Sequence, residues 1–146
     1  MKQERFQAFV TGISVCYKYI QKIKSLEMTE FGLKGAHAMF LFFLHSHPEG
    51  LTAAQLSQLC AEDKAAVSRS LASLLEEGYI VSDEKKYRSR IRLTQRGEEV
   101  ACRIDQMIER WVESGGDGLT EQDRDVFYSS LELIANNLRG KIGELE

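Results

Sequence analysis

LTAAQLSQLCAEDKAAVSRSLASLLEEGYIVSDEKKYRSRIRLTQRG, residues Leu51–Gly97, holds two short amphipathic runs, two β-branched runs and the breakers between them. Thr52 stands where an N-cap belongs, and Leu56 and Leu59 give the first run an apolar side, so a helix over about 52–61 is expected. Asp63 then caps a second helix, Lys64 to Glu77, with Val67, Leu71, Leu74 and Leu75 as its buried stripe and Gly78 as its left-handed terminator. At about 100° per residue, the opposite face carries Ala65, Arg69, Ala72 and Ser73, with Ser68 at its edge. Small side chains there let the helix backbone come close to a surface, with one arginine projecting. Tyr79-Ile80-Val81 and Arg90-Ile91-Arg92-Leu93 read as strands around a polar connector, Ser82 to Ser89. Helix, turn, helix, strand, basic tip and strand is the order of a winged helix-turn-helix. In that unit the second helix can enter the major groove of DNA while the hairpin reaches the backbone.

The flanks are helical. Residues 4–27 place Phe6, Phe9, Val10, Ile13, Tyr17 and Ile20 at three- and four-residue steps, and Thr29 to Gly32 breaks the run. A second helix, Leu33 to His45, contains AHAMFLFFL; a helix apolar nearly all round is a buried one, here the central post. HSHPEG turns the chain toward Thr52. Beyond the strands, Thr94 caps a long helix with Val100, Ile104, Met107, Ile108 and Trp111, broken by Gly115 to Gly118. Thr120 and Asp123 form a capping box that opens the last helix, on which Phe127, Leu131, Ile134, Leu138 and Leu145 fall near heptad spacing. The expectation is a mainly α protein with a small β-hairpin, one domain over 1–146. Its winged helix-turn-helix spans about 33–97, and a dimerisation lobe is built from about 1–30 and 98–146. Phe6, Phe9 and Ile13 at one end and Phe127, Leu131, Ile134 and Leu138 at the other are more apolar surface than one chain of 146 residues readily covers. A homodimer covers both stripes and sets two recognition helices one DNA turn apart, about 34 Å.

A chain of this length buries roughly 70% of its extended-chain surface. No apolar run approaches the ~20 residues of a membrane span, and the start, MKQERFQAFVTG, has no signal-peptide core, so a cytoplasmic location is expected. The net charge of −3 is unevenly spread: Lys85 to Arg96 holds six cations and no carboxylate, whereas the chain from Glu121 onward is acidic. Cys16, Cys60 and Cys102 are widely spaced and odd in number, which argues against a disulfide framework or a zinc ribbon and leaves buried, inert thiols as the expectation. No Gly-rich phosphate loop, Gly-x-Ser-x-Gly or His-Glu-x-x-His motif is present. No enzymatic activity, cofactor or resident metal is expected.

LTAAQLSQLCAEDKAAVSRSLASLLEEGYI resembles the core of the MarR family, the multiple-antibiotic-resistance type of bacterial regulator. Leu93-Thr94-Gln95-Arg96-Gly97 is similar to that family's LTxxG signature, and Leu119 to Leu131 to the start of its last helix. The resemblance implies a homodimer with interleaved terminal helices, bound to double-stranded DNA at pseudo-palindromic operators. It implies that Arg69 approaches DNA, either pairing with guanine or fixing the helix against a phosphate, with Lys64, Ala65, Ser68 and Ser73 on the same helix, and that Thr52 and Gln55 meet phosphates. The wing departs from the pattern. Where many members carry Asp-x-Arg at the tip, Lys85 and Tyr87 stand here, so Lys85, Lys86, Tyr87, Arg88 and Arg90 are the substitute contacts.

Members of that family often bind small aromatic or anionic effectors between their lobes. Tyr17, His37 and Phe40 are the lining candidates here, with core packing as the competing role. Two further readings keep the same fold. One is a redox response through Cys16, which lies in the first helix. The other is a zinc response prompted by His37, His45, His47 and Glu49. A winged helix serving as a protein-interaction module would instead need an acidic or apolar recognition face. The small, polar face with Arg69 beside a basic wing favours DNA. The expected function is transcriptional regulation, by repression, since occupancy of an operator suffices to exclude polymerase.

Overall fold

A computed structural model describes residues 1–83 and 89–146. Six helices and a two-stranded antiparallel hairpin follow in the order α1 (Lys2–Met28), α2 (His37–Ser46), α3 (Ala53–Cys60), α4 (Lys64–Glu76), β1 (Ile80–Ser82), β2 (Ile91–Leu93), α5 (Gln95–Gly115) and α6 (Glu121–Leu145). Residues 1–106 and 107–146 are two compact units, with the boundary inside α5.

The helix starts are set by local chemistry. Thr52 Oγ1 accepts from the Gln55 amide, and Gln55 Oε1 accepts in return from the Thr52 amide at 2.9 Å, which satisfies two orphan donors of α3. Asp63 Oδ1 accepts from the Ala66 amide at 2.8 Å and starts α4. Between them, Ala61 holds the tight turn with φ of +53°, which among the described residues no other non-glycine residue does. Thr120 and Asp123 repeat the reciprocal cap at α6. The hydrogen bonds from Thr120 hold the Asp123 carboxyl below its ordinary range.

The core of the first unit lies around α2, with Ala38, Phe40, Leu41 and Leu44 buried, together with Met28, Leu56, Val67, Leu74, Ile80, Ile91 and Ile104. Helix α2 begins at His37 rather than Leu33. Leu33 to Ala36 form turns instead, Leu33 N donating to Met28 O and His37 N to Lys34 O. Gly35 there lies so close to α1 that a Cβ would stand 2.9 Å from the Ser25 nitrogen.

Two residues of the expected stripes are not buried. Leu59 is 41% and Leu75 50% exposed, and on α4 the inward positions are Val67, Ser70 and Leu74, with Leu71 half-buried. The i, i+3, i+7 line runs through a serine, so the buried strip is narrower than the apolar pattern. Nor are the thiols buried as a group. Cys16 and Cys102 are exposed, and only Cys60 is half-buried. Burial, with Glu62 adding, pushes the Cys60 thiol up to about 11 against the opposing charge of Lys24.

In β1–β2 the register pairs Ile80 with Leu93 and Ser82 with Ile91. Leu51 adds a separate bridge to β2 by exchanging two backbone hydrogen bonds with Ile91, of 3.0 and 2.8 Å. The turn before it needs glycine: Gly50 has φ of +93°, and a Cβ would stand 3.0 Å from the Ile91 oxygen.

The LTxxG segment closes the unit. Thr94 Oγ1 donates to Gly78 O at 2.7 Å and accepts from the Gly97 amide at 3.1 Å, capping α5. Gly97 passes so near Tyr79 that a Cβ would lie 2.0 Å from the Tyr79 carbonyl oxygen. Arg96 stacks over the Tyr79 ring at 4.3 Å and donates to the Glu77 carbonyl.

In the second unit, Arg124 donates to Gly116 O at 2.9 Å and lies where a Cβ on Gly116 would fall. Along α6, Phe127, Ile134, Leu138 and Leu145 are exposed and Leu131 is half-exposed.

Leu56→Ala removes a side chain with no exposure and is expected to cost about 2–5 kcal/mol, whereas Leu59→Ala is expected to stay within about 1 kcal/mol. Urea denaturation of the two variants against the parent chain checks the contrast.

Candidate nucleic-acid interface

Helix α4 turns Val67, Ser70 and Leu74 inward, so the face opposite them is outward. Lys64, Ala65, Ser68, Arg69 and Ala72 are exposed on it, and Ser73 is half-buried at its border. Arg69 makes no hydrogen bond or ion pair among the described residues. Three small side chains around one exposed guanidinium leave the backbone of α4 approachable, while the arginine keeps its five donors for an external acceptor.

Beside this helix a cleft of about 780 Å³ opens between α3, α4 and the hairpin. Thr52, Gln55 and Arg90, three of the sequence-predicted contacts, line it together with Ala72 of α4. Ser82 and Ser89, which sequence reasoning passed over as connector, also line it. Their hydroxyls are 2.6 Å apart, and Ser89 also donates to Asp83 O. No periodicity marks such residues; only the pairing of β1 with β2 brings them to the mouth of the cleft. Gln55 is partly committed, since its Oε1 caps α3, and its amide NH2 is the group left to donate outward.

The basic run has a more particular structure than its charge count. Arg90 donates to Gly50 O at 3.1 Å, Arg92 pairs with Asp83 at 2.8 Å, and Arg96 is held against Tyr79 and Glu77. Lys85, Lys86, Tyr87 and Arg88 lie outside the described residues.

The remaining candidates separate. Tyr17 is 61% exposed on α1, whereas Phe40 and His37 are buried, in the position of packing residues. His37 Nδ1 accepts from the Lys34 amide at 3.2 Å, so the ring is neutral with Nδ1 unprotonated. Burial first, and the Lys34 charge second, lower its pKa against a smaller opposing effect of Glu77. The histidines do not converge. His47 Nδ1 lies 2.8 Å from Phe43 O, and His45 faces Glu98 of α5 at 2.8 Å. His37 and His45 stand eight residues apart along α2, about 12 Å of helix rise. The grouping of His37, His45, His47 and Glu49 is therefore not assembled.

The order α2-α3-α4-β1-β2, with α4 presenting its outer face beside the hairpin, defines a winged helix-turn-helix. Residues 31–88 match the MarR family. No curated protein shows significant sequence similarity to the chain. Among solved structures, a MarR family transcriptional regulator from Silicibacter pomeroyi is 25% identical, with 86% of each chain covered and a TM-score of 0.75. The transcriptional regulator SlyA is 20% identical over 94% of this chain and 99% of its own, with a TM-score of 0.85. The MepR–DNA complex of S. aureus aligns over 86% of this chain and 93% of that one, at 17% identity and a TM-score of 0.77. The match to the MarR family is confined to the winged helix-turn-helix, and over most of its length the chain has the fold of these solved transcriptional regulators.

His37 gives a pH dependence. Its folded pKa lies below the unfolded value near 6.5. Between the two the unfolded chain binds the proton and the folded chain does not, so stability falls as the pH drops below about 6.5. His37→Asn keeps an acceptor for the Lys34 amide and removes the titration. Urea midpoints measured at about pH 7.5 and about pH 5.5 are expected to differ less in this variant than in the parent chain.

Proposed function

We propose that this chain is a sequence-specific double-stranded DNA-binding transcriptional regulator. It acts as a homodimer on a pseudo-palindromic operator and represses by occupying it. The observation that carries the reading is the outer face of α4, where Ala65, Ser68 and Ala72 leave room for close approach and Arg69 is exposed without an internal partner among the described residues. Such a face suits base readout in a major groove, where Arg pairs bidentately with guanine. Thr52, the Gln55 amide and Arg90 along the adjacent cleft suit phosphates. Lys85, Lys86 and Arg88 add charge at the wing, so affinity depends steeply on salt.

The homodimer is supported by two exposed apolar stripes. On α1, Phe6, Phe9, Val10, Ile13 and Ile20 are between 37% and 69% exposed, and on α6 Phe127, Ile134 and Leu138 between 37% and 52%. Contiguous apolar surface of this kind marks an interface. A small aromatic or anionic effector that relieves repression would act by binding the DNA-competent and incompetent states unequally.

Selection of the purified chain against a random duplex library, followed by anisotropy over a salt series, tests the reading. A pseudo-palindrome bound by one dimer is expected. Arg69→Ala is expected to cost about 1–3 kcal/mol of operator affinity and relax selectivity at one position in each half-site. Joint replacement of Lys85, Lys86 and Arg88 by Ala is expected to weaken all sequences alike and flatten the salt dependence by roughly one unit of slope per lost phosphate contact. Binding that is weak and blind to sequence would reject the proposal. For the dimer, sedimentation is expected to give twice the chain mass, and Phe127→Glu with Ile134→Glu to give one chain mass.

A further inference from the structure

His45 lies in the last turn of α2, and Glu98 and Cys102 lie on α5, four residues apart and therefore on one face of that helix. His45 Nδ1 is 2.8 Å from Glu98 Oε2, and one donor atom from each of His45, Glu98 and Cys102 lies within 4.8 Å of the others. Among the described residues no other three such donors gather. A hydrogen bond between His45 and Glu98 accounts for two of these positions but not for the thiol beside them.

We propose that His45, Glu98 and Cys102 form a binding site for a borderline-soft divalent transition metal of the zinc(II) type. Imidazole, carboxylate and thiolate are the three ligand classes that zinc accepts, whereas magnesium and calcium take oxygen alone. Bonds of about 2.0–2.3 Å in a tetrahedron set donors roughly 3.3–3.8 Å apart. The donors reach that spacing by shifts of about an ångström, the His45–Glu98 pair opening from 2.8 Å and the 4.8 Å envelope closing, in side chains that are at least partly exposed. Cys102 enters as the thiolate, releasing its proton to solvent. Three protein ligands leave the fourth position of the tetrahedron to water. The ion ties the end of α2 to the first turns of α5, so its binding free energy adds to the stability of the first unit. The site does not depend on whether the chain binds DNA.

Cobalt(II) titration of the metal-free chain, with Cys16→Ser and Cys60→Ser to leave one thiol, tests the site; the unmodified chain is titrated alongside. One cobalt per chain is expected, with a thiolate-to-cobalt charge-transfer band that zinc abolishes by displacement. Cys102→Ser is expected to remove the band. His45→Ala and Glu98→Gln are each expected to weaken zinc in a chelator competition by more than the roughly 10–100-fold that loss of an outer-shell partner costs. Circular dichroism checks that each variant is folded. No band in either chain, a band that survives Cys102→Ser in a folded chain, or zinc affinity unchanged in both other variants would overturn the proposal.

Discussion

The approach of the Gly97 backbone to the Tyr79 carbonyl governs how the winged helix is closed. With 2.0 Å between that oxygen and the place of a Cβ, no side chain fits at residue 97, and α5 can start there only because none is present. Thr94 uses its hydroxyl twice at this junction, donating to Gly78 O and accepting from the Gly97 amide, while its own amide donates to Tyr79 O at 3.0 Å. Tyr79 is thereby the point where the end of α4, the first strand and the first turn of α5 meet. Its ring lies under Arg96, and its hydroxyl donates to Phe31 O at 3.4 Å and accepts from Arg96. The LTxxG residues therefore serve architecture: they fix where α4 ends relative to the hairpin.

That architecture sorts the arginines into two groups. Arg90, Arg92 and Arg96 each spend donors on the chain itself, on Gly50, Asp83 and Glu77. Arg69 spends none among the described residues. A run of like charge along this segment would repel itself, and the Asp83 carboxylate with the Gly50 and Glu77 carbonyls relieves the repulsion. What the unengaged arginine gains is freedom to choose an acceptor outside the chain.

Much of this was legible in the sequence where the determinant is local. The caps at Thr52, Asp63, Thr94 and Thr120 were readable because an N-cap needs only a short oxygen-bearing side chain and an amide two or three residues on. The left-handed closure at Gly78 was readable for the same reason, and its φ is +80°. Burial was less so. Leu59 and Leu75 have the period of their helices but lie at the margin of a contact surface whose width depends on neighbours far along the chain. Helix α2 starts late, after turns in which Gly35 packs on the α1 backbone, a contact no propensity reports. In the sequence His45 groups with His37, His47 and Glu49, none of which the fold brings to it. Its partner, Glu98, is 53 positions away, and only the packing of α2 near the start of α5 brings the two together. The matching half of that signal, Glu98 and Cys102 at a four-residue interval, was present in the sequence without anything to pair it to.

The bridge between Leu51 and Ile91 bears on the order in which the chain can fold. Two strands of three residues cannot stand alone in water, where an isolated hairpin is marginal at best. Here the hairpin is anchored by a residue forty positions upstream, across the whole helix-turn-helix. Closing that loop carries an entropic cost, offset only once α3 and α4 have docked and buried Leu56 and Leu74. The strands consequently form late, and they open together with the helices rather than fraying separately. Backbone amides of Ile91 and Leu51 then share the protection of the helical core, although they belong to the smallest element of the structure.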